Sequence, residues 1–211
     1  MSSSTLMRWC GLANVSGGVI VVIVRLLEFA LYGEQPKSIQ ALDPAFLPAL
    51  GLPGLVASVL LLIGLVGLYA RQAAAAGRAG LIAFSVAFFG VTLSVGGNWV
   101  YAFGSPVLAE YAPAILDGAD SILNTGLLIS YFLGLLGWVL IAAVTWWVNV
   151  LPRWAAGVFF ASALFLMLSF ALPGSDTMLA RLLANVLIAA GPFALGVALW
   201  RHPGPSPAEG V

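Results

Sequence analysis

Residues 122–149 read ILNTGLLISYFLGLLGWVLIAAVTWWVN, a stretch without a single charged side chain. About 20 apolar residues suffice for an α-helix to cross the hydrocarbon core of a bilayer. This stretch therefore predicts a transmembrane helix, and its extra length predicts that the helix tilts or extends beyond the bilayer. Similar apolar stretches predict further spans at 9–32, 50–70, 79–103, 154–173 and 179–200.

The composition indicates that lipid is the main solvent of this chain. Hydrophobic residues make up 62% and charged residues 8% of its 211 residues, whereas charged residues make up roughly 25% of a typical soluble domain. The predicted fold is therefore all-α, a polytopic membrane protein that forms one six-transmembrane-helix bundle over residues 1–201. The remaining residues, 202–211, predict a disordered cytoplasmic tail. The expected surroundings are the lipid bilayer, and nucleic acid is not expected as a partner.

The charged residues lie almost entirely in the short gaps between these spans, and the gaps alternate in sign. One set is basic and contains Arg8, Arg71, Arg78, Arg153 and Arg201, with Glu209 as its acid. The other set is acidic and contains Glu34, Asp43, Glu110, Asp117, Asp120 and Asp176, together with Lys37 and Arg181. Because positively charged loops stay in the cytoplasm, this pattern predicts an N-in/C-in topology. The expected location is the cytoplasmic (inner) membrane of a bacterium, as a multi-pass protein.

The gaps also indicate higher organisation. The acidic segments 33–49 and 104–121 are long and rich in proline, which predicts an outer cap with short interfacial helices. The odd-numbered spans begin near Arg8, Arg78 and Arg153, which suggests three helical-hairpin repeats. The alternative is that all membrane hairpins share the same flanking residues.

Small residues predict where helices approach one another. They recur at intervals of four on two of the spans, as Gly126, Ser130 and Gly134 and as Ala190, Ala194 and Ala198. Small side chains allow helix backbones to come close in lipid. These two ridges are predicted packing surfaces, either inside the bundle or against a membrane-protein partner or a second copy of the chain.

Arg25 and Glu28 are the charged residues that lie inside a predicted span rather than near its ends. Their i, i+3 spacing places both on one helix face, where they can pair. Charges are costly in lipid and often mark binding or transport sites. The alternative is a neutralised structural pair whose arginine reaches outward to the headgroups.

Other polar side chains occur at a similar predicted depth. Asn98 and Tyr101 belong to the third span, and Asn185 belongs to the sixth. A lipid-facing amide would lack hydrogen-bond partners, so these groups should turn towards protein or water. Together with Arg25 and Glu28 they predict an outward-opening polar cavity and a binding site. The alternative is a set of separate interhelical hydrogen bonds.

Several reactive arrangements are missing from the sequence. The single cysteine is Cys10, the single histidine is His202 and the single lysine is Lys37. None is placed to form a bis-histidine haem site, a retinal Schiff base or a Ser–His or Cys–His pair within a span. The acidic segment around Asp117 is expected to be solvated, with Asp120 or Ser121 capping the next helix rather than binding a metal. We therefore predict no catalytic residues and no metal ligands, and the sequence identifies no cofactor.

Three classes of function are compatible with these features. The favoured class is a non-catalytic integral membrane protein that acts as an accessory subunit or binds an apolar or lipid-like ligand. The alternative is a small membrane transporter or channel with an outward-facing polar cavity. An enzyme is the least favoured class, because the side chains that usually carry catalysis are scarce.

Overall fold

A computed structural model describes residues 3–118, 121–171 and 178–202, and within these ranges every regular element is helical. The α-helices are α1 (Ser3–Tyr32), α2 (Lys37–Leu42), α3 (Leu52–Trp99), α4 (Ser105–Tyr111), α5 (Pro113–Asp117), α6 (Ile122–Val148), α7 (Arg153–Ala171) and α8 (Met178–Arg201). Two π-helical turns, Leu47–Gly51 and Val100–Gly104, flank α3. The prediction of an all-α protein is confirmed. Of the predicted tail at 202–211, only His202 lies within the described residues.

Three helical stretches are long and apolar enough to cross a membrane. They are Ser3–Tyr32, Leu47–Tyr111 and Pro113–Val148. Two shorter apolar helical stretches of the described chain, Arg153–Phe165 and Asn185–Arg201, follow them. The structure is thus that of a helical protein suited to a membrane, while the number of six spans stays a prediction.

The long helix α3 folds back on itself at Gly77. A straight helix of its 48 residues would be about 72 Å long. Gly77 has φ 52° and ψ −137°, a conformation that glycine adopts without the steric penalty of a Cβ atom. The rings of Tyr69 and Phe84 lie on opposite sides of this point in the sequence, yet they stack with centroids 4.3 Å apart. In a continuous helix they would be about 22 Å apart, so the two halves of α3 form an antiparallel hairpin.

The remaining long helices pack around this hairpin through close glycine contacts. α1 lies between the first half of α3 and α8. A Cβ atom on Gly64 would lie 2.2 Å from the side chain of Asn14, and one on Gly196 would lie 2.8 Å from the carbonyl of Gly11. α6 packs on the second half of α3, and α7 contacts both α6 and α8. The long helices therefore enclose a common interior.

In each of the two predicted packing ridges, some residues are buried and others are not. On α6, Ser130 and Gly134 are buried and face α3, where the hydroxyls of Ser94 and Ser130 are 3.4 Å apart. Gly126 is exposed, and a Cβ atom there would meet nothing within 4 Å. On α8, Ala194 and Ala198 belong to the main hydrophobic core, whereas Ala190 is half-buried.

The segments between the long helices form a cap at one end of the bundle. The backbone N–H and the hydroxyl of Ser38, on α2, donate to the Asp117 carboxylate of α5, at 3.1 and 2.5 Å. These two hydrogen bonds hold the pKa of the Asp117 carboxyl below its usual value. The prediction of short helices in these proline-rich segments agrees with α2, α4 and α5. The cap closes over a small core of its own, formed by Val24, Tyr32, Ala41, Phe46, Leu50 and Ala109.

Candidate functional site

A cavity of about 200 Å³ lies in the interior that the long helices enclose. One water molecule needs roughly 10–15 Å³ on this measure, so the cavity is much larger than a packing defect. Its walls are mainly apolar and include Leu61, Val91, Trp138, Phe159 and Ile188. The rings of Trp138 and Phe159 stack with centroids 6.2 Å apart and join α6 to α7 at this wall.

Three of the five residues predicted as a binding site line this cavity. They are Arg25 from α1, Asn98 from the end of α3 and Tyr101 from the π-helical turn that follows. Glu28 contributes through its bond to Arg25 and does not itself line the wall. Asn185 of α8 is not among the lining residues, although it lies one turn from Ile188 and Ala189, and it has another interaction.

Arg25, which lines the cavity, forms an ion pair with Glu28. Nη1 of Arg25 donates to Oε2 of Glu28 at 2.5 Å, and the two side chains are 39% and 18% exposed. Their spacing of three residues on α1 places them one above the other. A guanidinium has five N–H donors and no acceptor. The pair therefore neutralises the charge of Arg25 while most of its donors remain available.

Two phenols line the same cavity as Arg25. They belong to Tyr101 and Tyr131. The Tyr101 ring packs edge-on against Phe46 of the cap, with centroids 4.9 Å apart. This contact fixes the ring, and within the described residues neither phenol hydroxyl has a hydrogen-bond partner.

Hydroxyls and an amide line the wall between these groups. The Asn98 amide nitrogen donates to the backbone carbonyl of Ser94 at 2.9 Å, which anchors the side chain to its own helix. The hydroxyls of Ser58 and Ser94 donate to carbonyls one turn earlier, at 2.8 and 3.0 Å. These bonds satisfy the hydroxyl protons within α3, so the serines add polarity to the wall without offering a free proton.

Pro192 adds a backbone acceptor to the cavity wall. It lies inside α8, and it lines the cavity together with Ile188. Proline has no N–H, so the carbonyl of Ile188 lacks the donor that residue i+4 normally supplies. The helix continues through this position, and both residues of the missing hydrogen bond belong to the cavity lining.

A smaller crevice of about 30 Å³ lies between the cap and the bundle. Lys37, Ser105, Asn124 and Leu116 contribute to its walls. Tyr101 lines both this crevice and the large cavity. Its ring therefore separates the interior of the bundle from the cap.

Sequence reasoning missed Tyr131 and Asn14. Tyr131 follows Ser130 of the predicted ridge. A Tyr hydroxyl inside a membrane helix usually needs a polar partner, and this need could have indicated that Tyr131 faces the interior. Asn14 is completely buried between α1, α3 and α8. Neither polar atom of its amide has a hydrogen-bond partner. It lies in the first half of α1, whereas Arg25 and Glu28 of the predicted site lie in the second half.

The polar groups that line the cavity can form hydrogen bonds with a bound molecule. Within the described ranges, no group of three or more His, Cys, Asp or Glu side chains could hold a metal ion. The groups that converge are a charge-neutralised guanidinium, two phenols and an amide, above apolar walls. Comparison of the chain with protein-family models, with curated proteins and with solved structures finds no match.

Proposed function

We propose that this protein crosses the cytoplasmic membrane six times, with both termini inside. The hairpin at Gly77 supports two crossings within Leu47–Tyr111, because the stacked rings of Tyr69 and Phe84 require the halves of α3 to be antiparallel. The start of α1 and the end of α8 lie at one end, where Gly11 contacts Trp200. The Gly77 bend lies at the same end, since Arg71 Nε donates to the carbonyl of His202 at 3.2 Å. That end carries the basic residues, as expected of a cytoplasmic face.

Within this architecture the protein acts as a non-catalytic binder of a lipid-like ligand. The observation that carries this proposal is the interior cavity, whose walls are apolar except for Arg25, Asn98, Tyr101 and their neighbours at its outer end. Small-molecule sites commonly combine apolar walls with a few convergent polar groups. An accessory role, with a membrane-protein partner or a second copy, is compatible with the same site.

The binding proposal is tested by filling the cavity with a side chain. Gly54 lines the cavity, and a Cβ atom there would meet only the Asn98 amide oxygen, at 3.6 Å. The Gly54→Leu variant would therefore occupy the ligand's space without a backbone clash. Gly126→Leu is the matched control, because a Cβ atom at Gly126 meets nothing within 4 Å.

Wild-type protein and both variants are purified in mild detergent, and their bound molecules are extracted and identified by mass spectrometry. We expect an apolar molecule with wild-type protein and with Gly126→Leu, and its loss from Gly54→Leu. Equal retention by both variants would place the ligand outside this cavity. Co-purification of another membrane protein would favour the accessory role.

A transporter is the second candidate, and one observation favours it. The Tyr101 ring lies between the cavity and the crevice under the cap, so its movement would connect the interior to the outside. The molecule identified by extraction is offered to proteoliposomes. A binder takes up a fixed amount per protein, whereas a transporter fills the lumen in proportion to its volume. Tyr101→Ala should accelerate filling only in the second case.

A further inference from the structure

Three side chains that can donate hydrogen bonds, Arg25, Tyr101 and Tyr131, line the cavity. The Arg25 guanidinium donates to Glu28, and no other acceptor contacts it among the residues that the structure describes. The hydroxyls of Tyr101 and Tyr131 are likewise without a protein partner over the same ranges. A guanidinium can only donate, and a phenol donates well. All three groups line the cavity, where a bound molecule with an acceptor atom could receive hydrogen bonds from them.

The charge at this point is already balanced. Glu28 lies 2.5 Å from Arg25, so the pair carries no net charge. A carboxylate or phosphate entering the cavity would add an unmatched negative charge close to Glu28, in surroundings where ions are expensive. An ammonium group would face the guanidinium directly. A neutral group that accepts hydrogen bonds meets neither cost.

The rest of the cavity is suited to an apolar body. Leu61, Trp138 and Phe159 form its deeper walls, and Phe159 itself is buried. A volume of about 200 Å³ equals the liquid volume of roughly 7 waters. An amphipathic ligand with its polar group at one end matches the polarity of these walls.

From these observations, and resting on the proposed binding function, we propose that the ligand's polar end is a neutral carbonyl of the ester, ketone or quinone type. Arg25, Tyr101 and Tyr131 donate to the carbonyl oxygen, while the apolar body extends towards Trp138 and Phe159. Asn98, whose amide nitrogen is held by Ser94, contributes its oxygen to the wall and leaves the three donors as the recognition set.

The test uses four probes with the same ten-carbon chain and different ends: methyl decanoate, decanoate, decylamine and decane. Dissociation constants for the purified full-length protein are measured by native mass spectrometry in detergent. We expect methyl decanoate to bind at least about tenfold more tightly than decane, since hydrogen bonds to charged groups are the stronger kind. Decanoate should bind more weakly than the ester, and decylamine should bind most weakly of the polar probes.

Two variants assign the effect to the named groups. Tyr131→Phe should weaken the ester about three- to tenfold and leave decane unchanged. Tyr111→Phe is the control, because Tyr111 is exposed in the cap and should change neither. Glu28→Gln leaves the guanidinium unmatched, so it should shift the preference from the ester towards decanoate.

The outcomes separate this inference from the function on which it rests. If no probe binds, decane included, the binding function itself is wrong. If all four bind equally, the cavity binds apolar bodies but the carbonyl inference fails. Tighter binding of decanoate or decylamine than of the ester to wild-type protein would also overturn it, as would a Tyr131→Phe variant that keeps full discrimination.

Discussion

Glu28 lies one turn above Arg25 on α1, and its contribution to stability follows from what its loss would leave behind. The Glu28→Ala change removes the partner that neutralises a partly buried guanidinium. We expect the free energy of unfolding to fall by about 1–3 kcal/mol. Glu110→Ala, at an exposed position of α4, should change it by less than about 0.5 kcal/mol. Denaturant titration in detergent measures both, and equal values would contradict the pairing.

Asn14 and Gly64 form a contact that a double-mutant cycle can measure. A Cβ atom on Gly64 would lie 2.2 Å from Cγ and Oδ1 of Asn14, so Gly64→Ala overpacks the site and should cost about 1–3 kcal/mol. Asn14→Ala removes an amide whose polar atoms have no hydrogen-bond partner, which offsets the packing that it loses.

In the double variant, the new methyl group occupies the space that the amide leaves. We therefore expect it to be more stable than Gly64→Ala alone, with a coupling energy of about 0.5–3 kcal/mol. Thermal unfolding of the four proteins in one detergent gives this value. Strictly additive effects would show that the two residues do not touch.

At the scale of residues, the sequence predicts which side chains pair along one helix better than it predicts what surrounds a side chain. The spacing of Arg25 and Glu28 fixes their proximity on any α-helix, and their bond follows directly. The sequence does not predict that Tyr131 and Asn14 face the interior. In an almost uniformly apolar helix, the residue pattern hardly indicates which face turns inward. The polarity of α6, for example, hardly differs between its faces, since apolar residues occupy nearly every position.

At the scale of helices, glycines decide how closely α3 and α6 approach. A Cβ atom on Gly90 would lie 2.4 Å from the backbone nitrogen of Gly134, so Gly90→Ala can be accommodated only if the helices separate. It should destabilise the protein by about 1–3 kcal/mol. Gly126→Ala, which meets open space, should be neutral or stabilise by up to about 1 kcal/mol through helix propensity. A loss of stability in both variants would mean that helix contacts extend to the exposed end of α6.

The hydrogen bonds between α2 and α5 predict a pH dependence of the cap. Because the Asp117 carboxylate accepts from Ser38, its pKa in the folded protein lies below the ordinary value of 3.8. The contact is therefore fully present above the ordinary pKa and is lost as the pH falls through the lowered one. The protection factors of the amides in residues 37–42, that is, the intrinsic exchange rate at each pH divided by the observed rate, should fall on acidification below about pH 4, and Asp117→Asn should abolish this dependence. Protection factors that rise at acidic pH would reverse the assigned sign.

The long helices were predictable because the thickness of the bilayer sets their length. The segments whose backbone departs from α-helical geometry were less predictable. The apolar stretches at 9–32 and 122–149 fall on α1 and α6, because a long, mainly apolar run that crosses lipid in a chain without barrel-forming strands has to be helical. The short gap around Gly77 coincides with the bend in α3. The π-helical turns at Leu47–Gly51 and Val100–Gly104 have no comparable signal, because no residue pattern distinguishes an i, i+5 turn from an α-helical one in an apolar chain.

For the whole molecule, the arrangement of charges and the course of α3 lead to one topological prediction. Ala75 lies beside the Gly77 bend, Asn149 lies between α6 and α7, and Ala114 lies in the cap. All three are exposed, whereas the native Cys10 is buried and gives little background. With six spans and both termini inside, Ala75→Cys and Asn149→Cys face the cytoplasm, and Ala114→Cys faces outward.

A membrane-impermeant maleimide is therefore expected to label Ala114→Cys in intact spheroplasts. The other two variants should react only after the membrane is opened, because the bilayer separates the basic end of the bundle from the reagent. Labelling of both Asn149→Cys and Ala114→Cys from outside would mean that α6 does not cross the membrane. If Ala75→Cys reacts and Ala114→Cys does not, the orientation is inverted, and the cavity would open to the cytoplasm instead.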